Sequence, residues 1–397
     1  MPNTPSLPLA QPAEVGLSAP RLQRHADALR RDVDRGRLPG AVALVARRGR
    51  IAWFESIGQR DPVKGRAMER DAIFRIYSMT KPIASVAAMT LYEEGRFQLA
   101  DSIARYIPAF AKPKLATPKP DGTLEIVPAG REITIQDLLR HTSGLTYEFR
   151  GTAPVQRLYM NAKTARRNQT NEEHAATIAG LPLMYVPGTA WEYSRSTDII
   201  GRLVEVISGQ SLASFIAERI TGPLAMHDTA FHVPPEKQHR LAEAFPNDPD
   251  TGTGVELLEV REPPKFESGG GGMVSTALDY ARFLAMLAHG GTLDGERILG
   301  RKTIEFMTAD HLGPITGTPD LLIPGYGFGL GFAVRLHAGI AQIAGSVGQY
   351  YWGGLAGTTF WVDPAEELFA IMMIQAPGQR EYYRVLFRDM VYASLND

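Results

Sequence analysis

Strand-forming stretches lie at opposite ends of this chain, and that separation constrains the fold more than any other feature. Near the amino end, AVALVARRGRIAWFESIG clusters and alternates apolar residues around Arg48-Gly49, which predicts two antiparallel strands joined by a tight turn. Near the carboxyl end, YGFGLGFAVRLH, GTTFWVDP and ELFAIMMIQ alternate or run apolar over strand lengths, with Asp363-Pro364 as a turn. The two ends are therefore expected to meet in one antiparallel sheet.

Helical patterns flank and interrupt these strands. SAPRLQRHADALRRDVD opens with Ser18 as N-cap and Pro20 in the first turn, and stops at Gly36 and Pro39-Gly40. EYYRVLFRDMVYASL reads as a last helix. Between them, IASVAAMTLYEE, ITIQDLLRH and TDIIGRLVEVISG carry helical periodicity. Two connections, AKPKLATPKPDGTLEIVPAG with Pro113, Pro118, Pro120 and Pro128, and GTAPVQRLYMNAKTARRNQTN, are expected as functional loops or mobile covers. The predicted class is α+β: an antiparallel sheet from both chain ends flanked by terminal helices, with a mostly helical region inserted. Residues 1–76 and 285–397 are assigned to the sheet domain and 77–284 to the helical one, with the active site at their interface.

Bulk properties narrow the function. The 397 residues are 44% hydrophobic, enough for substantial cores, and 42 Lys plus Arg nearly cancel 43 Asp plus Glu. No single-sign run suggests a nucleic-acid or membrane partner, so a small neutral substrate fits better. No run approaches a membrane span and the first residues lack a signal pattern, which predicts a soluble, unexported, cytoplasmic protein. Cysteine is absent, so a nucleophile must come from Ser, Thr, Lys or a carboxylate. The nine histidines show no HExxH and no tight pairs, so no metal is expected.

YSMTKP (77–82) places Lys81 three residues after Ser78, behind a strand segment AIFRIY and at the start of an apolar helix. Residues three apart share a helix face, so the amine can approach the hydroxyl, and burial near a helix N-terminus pushes a lysine pKa down, as a base requires. The same six residues also suit an ordinary helix start. Tyr193, beyond the Pro187-Gly188 turn, can serve as proton shuttle if a nearby lysine lowers its pKa. In QYYWGGLAGTTFWVDP, two glycines before a strand permit close backbone approach to a ligand and a second oxyanion N–H, though a structural bulge explains them equally well.

Taken in this order, the three elements resemble the serine β-lactamase and penicillin-binding protein superfamily. More closely, the chain resembles family VIII carboxylesterases, from about residue 15 to the end, through LPGAVALVARRGRIAW, FRIYSMTKP, LLRHTSGL, WEYS, SGGGGM and WGG. The resemblance implies Ser78 as nucleophile, Lys81 as its base partner and Tyr193 as the second-motif tyrosine. It further implies that Trp352, Gly353 and Gly354 bind substrate and that the N–H groups of Ser78 and Leu355 form the oxyanion hole. It implies no cofactor. Arg195 stands where the β-lactamase motif has Asn, and Trp352 where it has a carboxylate-pairing lysine, which favours neutral acyl esters.

The expected activity is cleavage of short-chain carboxylic esters through an acyl-enzyme, with cephalosporin hydrolysis as an open side activity. Alternatives are β-lactamase or D-amino-acid peptidase activity and, from another class, a catalytically silent binding protein. Ala344-Gly345-Ser346-Val347-Gly348 approximates a nucleophile elbow but precedes a strand-like segment, so a hairpin turn is expected there. Ser268–Gly272 lacks the Gly-Lys-Ser/Thr of a phosphate loop. The resemblance places it beside the active site, with Thr276 and Asp279 capping the next helix. His141 is expected to hydrogen-bond structurally.

Overall fold

Arg48 and Gly49 both adopt left-handed backbone, with φ of 52° and 72°, which lets a two-residue turn match the twist of its strands. In the computed structural model, which describes residues 7–316 and 321–397, they join β1 (Gly40–Arg47) to β2 (Arg50–Asp61). β2 continues into the short β3 (Arg66–Ala67). The carboxyl end supplies β4 (Tyr326–Phe328), β5 (Ala333–Arg335), β6 (Tyr350–Gly353), β7 (Thr359–Asp363) and β8 (Leu368–Ile374). The sheet runs β4-β5-β6-β7-β8-β1-β2-β3 and is antiparallel throughout. The two chain ends meet where β1 pairs β8, Ala41 opposite Ile374 and Arg47 opposite Leu368.

The helices that cover the sheet and extend from it are α1 (Ala19–Asp34), α2 (Thr80–Glu93), α3 (Ser196–Ser208), α4 (Ala277–Ala288) and α5 (Arg380–Tyr392). Every residue of β1 and β8 is buried, because both faces of the sheet are covered at the seam. Ala41, Ala43 and Val45 share a core with Leu22 and Leu29 of α1 and Phe387 of α5. Their neighbours Val42, Leu44 and Ala46 face the opposite core, which contains most of α2 and α4. α4 packs against β1 and β8, whereas α2 packs against α3 farther from the sheet. The terminal helices α1 and α5 thus pack on one face of the sheet, and α2 and α4 share the core on the other.

Both stretches read as open connections carry regular structure. Lys114–Pro118 and Leu124–Pro128 form a two-stranded hairpin closed through Gly122 at φ 83°. Pro118 and Pro128 end their strands, where a missing N–H breaks no central ladder bond. Pro154–Asn161 is a helix with Pro154 in its first turn and Val155 and Tyr159, four apart, buried on one face. Proline that begins or ends an element is thus compatible with both. Among the described residues no single helix is long and apolar enough to cross a membrane.

His25 is fully buried between α1 and the sheet, against Trp53 and Phe387 at centroid distances of 5.3 and 5.0 Å. Neither ring nitrogen has a hydrogen-bond partner, and burial lowers its pKa from 6.5 to about 3. The folded chain therefore refuses a proton that the unfolded chain accepts near pH 6.5. Its contribution is fully present above that pH and shrinks as pH falls toward about 3, by up to about 1.4 kcal/mol per pH unit. His25→Phe is expected to flatten the acid side of the stability profile by one proton, read from urea midpoints between pH 6.5 and 4; an unaltered slope refutes the assignment. His174, lowered to about 4 mainly by burial, retains part of the slope in that variant.

Candidate active site

The chain reaches Ser78 through a short strand, Phe74–Arg75, paired with Val274–Ser275, and Ile76 N–H donates to Met273 O at 3.0 Å. A single 3₁₀ turn, Tyr77–Met79, follows, and α2 begins only at Thr80. Ser78 therefore stands ahead of the helix rather than in its first turn. Tyr77 sits at φ 42°, an uncommon conformation for a bulky residue, and its hydroxyl accepts from Leu258 N–H at 2.8 Å. The turn leaves Ser78 half-buried while Lys81 and Tyr193 are 1% and 5% exposed.

Lys81 Nζ donates to Tyr147 Oη at 2.9 Å and to Gly270 O at 2.6 Å. Among the described residues these are its hydrogen bonds, and the 3₁₀ turn stands between Ser78 and the start of the helix that carries the amine. Tyr193 lies beside both: its phenol is close enough to Ser78 for the hydroxyl to act on its pKa, and Lys81 Nζ lies 4.4 Å from its ring centroid. Burial lowers the Lys81 pKa to about 7, opposed by Asp198 and assisted by Arg195. The Tyr193 pKa moves up: burial outweighs the influence of the Ser78 hydroxyl and the hydrogen bond from Trp352. At neutral pH this site holds a protonated phenol beside an amine that is readily neutral.

A buried charge cluster fixes the amine. Arg195 pairs with Glu148, and with Asp198 at 3.3 Å, and lies 4.8 Å over the Tyr147 ring. Asp198, in the first turn of α3, accepts from Ser268 Oγ at 2.5 Å and Gly270 N–H at 2.9 Å. Burial works to raise its pKa, but Arg195, His174, Ser268 and Lys81 together hold it below the usual range. Gly270 thus gives its N–H to Asp198 and its carbonyl to Lys81. A Cβ at Gly270 would come within 2.9 Å of that carboxylate and 3.0 Å of Tyr147 Oη. His141, at φ 59°, accepts from Ser194 N–H at 3.3 Å and packs 4.9 Å from the Tyr193 ring, a structural role.

Trp352, at the cleft end of β6, donates its indole N–H to Tyr193 Oη at 3.2 Å and is buried. Neighbouring protein already occupies the space that side chains on the following glycines would need. A Cβ at Gly353 would meet the Arg384 guanidinium at 2.7 Å, and one at Gly354 would meet Thr358 Oγ1 at 2.3 Å and Ile76 O at 2.4 Å. Gly354 therefore seats its turn against the chain two residues before Ser78. Among the described residues, neither Leu355 N–H nor Ser78 N–H has a partner, and Leu355 is exposed.

Sequence reading did not find Tyr147, Glu148 or Asp198. Tyr147 lies six residues past His141 in HTSGLTYEF, where a tyrosine reads as packing, and Asp198 reads as an ordinary first-turn helix acid. Ser346 lies in an irregular segment before β6 and no helix follows it, which excludes a nucleophile elbow. Thr276 caps α4 by accepting from Asp279 N–H at 3.1 Å. Among the described residues no group of three or more His, Asp or Glu could hold a metal ion.

The family pattern described as Beta-lactamase matches residues 25–393. Protein Rv1367c of Mycobacterium tuberculosis (strain ATCC 25618 / H37Rv) is 36% identical over 87% of this chain and 88% of its own. Esterase EstB of Burkholderia gladioli is 32% identical over 90% of this chain and 91% of its own. Among solved structures, EstCE1, described as a hydrolase with promiscuous acyltransferase activity, superposes with a TM-score of 0.78 at 27% identity, covering 94% of this chain and 98% of its own. Simvastatin synthase LovD from Aspergillus terreus superposes at 0.77 with 24% identity over 94% and 98%, a likeness of fold. With the family pattern spanning almost the whole chain and a buried lysine behind the serine of Ser-x-x-Lys, this protein belongs to the β-lactamase family.

Proposed function

We propose that this chain is a serine carboxylesterase that cleaves carboxylic esters, short-chain ones first, through an acyl-enzyme on Ser78. The observation that carries the reading is the buried Lys81 amine, 4.4 Å from the Tyr193 ring centroid and one short turn behind Ser78, poised to lose its proton near neutral pH. Ser78 Oγ attacks the ester carbonyl carbon as its proton passes to Tyr193, while the phenolic proton passes to neutral Lys81. The N–H groups of Ser78 and Leu355 hold the oxyanion. The tetrahedral intermediate collapses, the C–O bond to the alcohol breaks, and the proton returns through Tyr193 to the leaving oxygen. Water then repeats the sequence on the acyl-enzyme and releases the acid. The similarity to an esterase at 32% identity supports the substrate class, and the indole at Trp352 leaves no cation there for a substrate carboxylate.

Ser78→Ala is expected to lower turnover of a short-chain p-nitrophenyl ester by about 10⁴-fold or more and to abolish the pre-steady-state burst. Turnover persisting in the variant excludes the reading. Cleavage of nitrocefin at least as efficient as that of a neutral ester, in the same buffer, favours a β-lactamase instead. Absence of both activities together with no phosphonate label on Ser78 favours a binding protein.

Because the base must be neutral, kcat/KM is expected to rise with pH through about 7, the value to which burial brings Lys81. Asp198 raises that pKa, so Asp198→Asn, which keeps an acceptor for Gly270 N–H, should move the acid limb to lower pH. A limb that stays in place, measured on the folded variant, rules out Lys81 as the titrating base.

A further inference from the structure

Arg384 reaches the active-site strand from behind. It projects from α5 on the side of the sheet covered by the terminal helices, and its guanidinium occupies the space a side chain at Gly353 would need. Trp352, one residue earlier in β6, points the other way and meets Tyr193. Arg384 donates through one terminal nitrogen to Gly354 O and, at 3.5 Å, to Thr358 O. Its other terminal nitrogen donates to Glu381 at 2.9 Å, while Nε is buried with no hydrogen-bond partner among the described residues. The carbonyl contact, rather than full satisfaction of the guanidinium, sets its orientation.

Gly354 O belongs to the same peptide unit as Leu355 N–H. In a trans peptide the carbonyl and the N–H point in opposite directions, so pinning one aims the other. Gly357 N–H adds a second donor to the carbonyl at 3.0 Å, and Gly354 N–H donates to Thr358 O at 2.8 Å. The peptide is thereby clamped from behind, so its N–H points away from the side Arg384 holds. A cationic donor on a carbonyl also polarises the amide and makes its N–H a better donor.

We propose that Arg384 is a positioning residue for the oxyanion hole, orienting and polarising the Gly354–Leu355 peptide so that Leu355 N–H meets the developing oxyanion. This rests on the reading of Ser78 as nucleophile and of Leu355 as its second donor. The guanidinium touches no substrate. Its effect appears in the transition state and not in ground-state binding, because only there does charge develop on the carbonyl oxygen.

The test measures Arg384→Ala and Arg384→Lys beside the unaltered chain with a p-nitrophenyl ester and a boronic acid that mimics the tetrahedral intermediate. Arg384→Ala is expected to lower kcat about 10- to 100-fold with KM within about two-fold, since losing an oxyanion donor outright costs about 10²–10³ in kcat. The boronate should weaken in parallel with kcat/KM, and added ethylguanidinium should restore part of kcat. Should Arg384→Ala fail to fold, the same measurements are read on Arg384→Lys, which keeps the charge but not the planar fork and should show a smaller loss of the same kind. Unchanged kcat and boronate affinity in a folded variant overturn the inference. So does a loss carried by KM alone, or an Arg384→Ala loss that ethylguanidinium does not repair. A phosphonate probe of the unaltered chain separates this from the underlying reading. An inactive chain with Ser78 unlabelled refutes the serine mechanism itself, whereas a labelled, active chain with indifferent Arg384 variants refutes only the positioning role.

Discussion

An amine taken out of water binds its proton weakly, and the arrangement of this site depends on that fact. Lys81 is 1% exposed, and burial is the largest influence on its pKa. Left alone, so deep a burial would make the ammonium form costly at any useful pH. The fold answers with a carbonyl, a phenol and a carboxylate one group removed: Gly270 O, Tyr147 Oη and Asp198 behind the Gly270 amide. Arg195 then balances Asp198, so the negative charge nearest the lysine is itself neutralised. The resulting pKa of about 7 is a compromise between dehydration, which removes the proton, and Asp198, which retains it.

That compromise requires segments far apart in sequence to converge. The pairing of Phe74–Arg75 with Val274–Ser275 fixes the Ser268–Gly272 loop beside α2, which is how a carbonyl nearly two hundred positions downstream reaches Lys81. The seam between β1 and β8 anchors the other wall. Because β8 carries β7, and β7 carries β6, the position of Trp352 against Tyr193 depends on the pairing of the two chain ends. The site thus depends on contacts between segments far apart in sequence, the kind whose loop closure slows folding.

Much of this was legible in the sequence because it rests on local patterns. Apolar runs mark β1 and β8, the Ser18 and Gly36 signals bracket α1, and Ser-x-x-Lys marks the junction of strand and helix. What was not legible depends on partners chosen by tertiary structure. Four prolines suggested a loop at 113–128 and polar, basic composition one at 151–171, yet Pro118, Pro128 and Pro154 sit where an element begins or ends. The sequence could not say which way the Tyr193 pKa moves, because its burial is set by tertiary packing. The one-turn rule for Ser78 and Lys81 assumed an α-helix through both residues, and a 3₁₀ turn at Tyr77–Met79 alters the angle between them. Asp198 and Tyr147 carry no motif of their own; they matter only because Gly270 is delivered between them.

Trp352 and the glycines after it show how one short motif can serve three neighbours. The strand alternates, so Trp352 faces the cleft and Gly353 faces the terminal helices. An indole in front can donate to Tyr193 but cannot pair with a carboxylate, whereas the cation nearest the motif, Arg384, lies behind it and is engaged with main-chain carbonyls. Gly354 is small for a separate reason, since its turn rests directly on Ile76 O. A side chain at 353 would displace the guanidinium, and one at 354 would displace the chain leading into Ser78. Two adjacent glycines, indistinguishable in sequence, therefore answer to different parts of the molecule: one to the rear support of the peptide that ends in Leu355 N–H, the other to the spacing between that peptide and the serine.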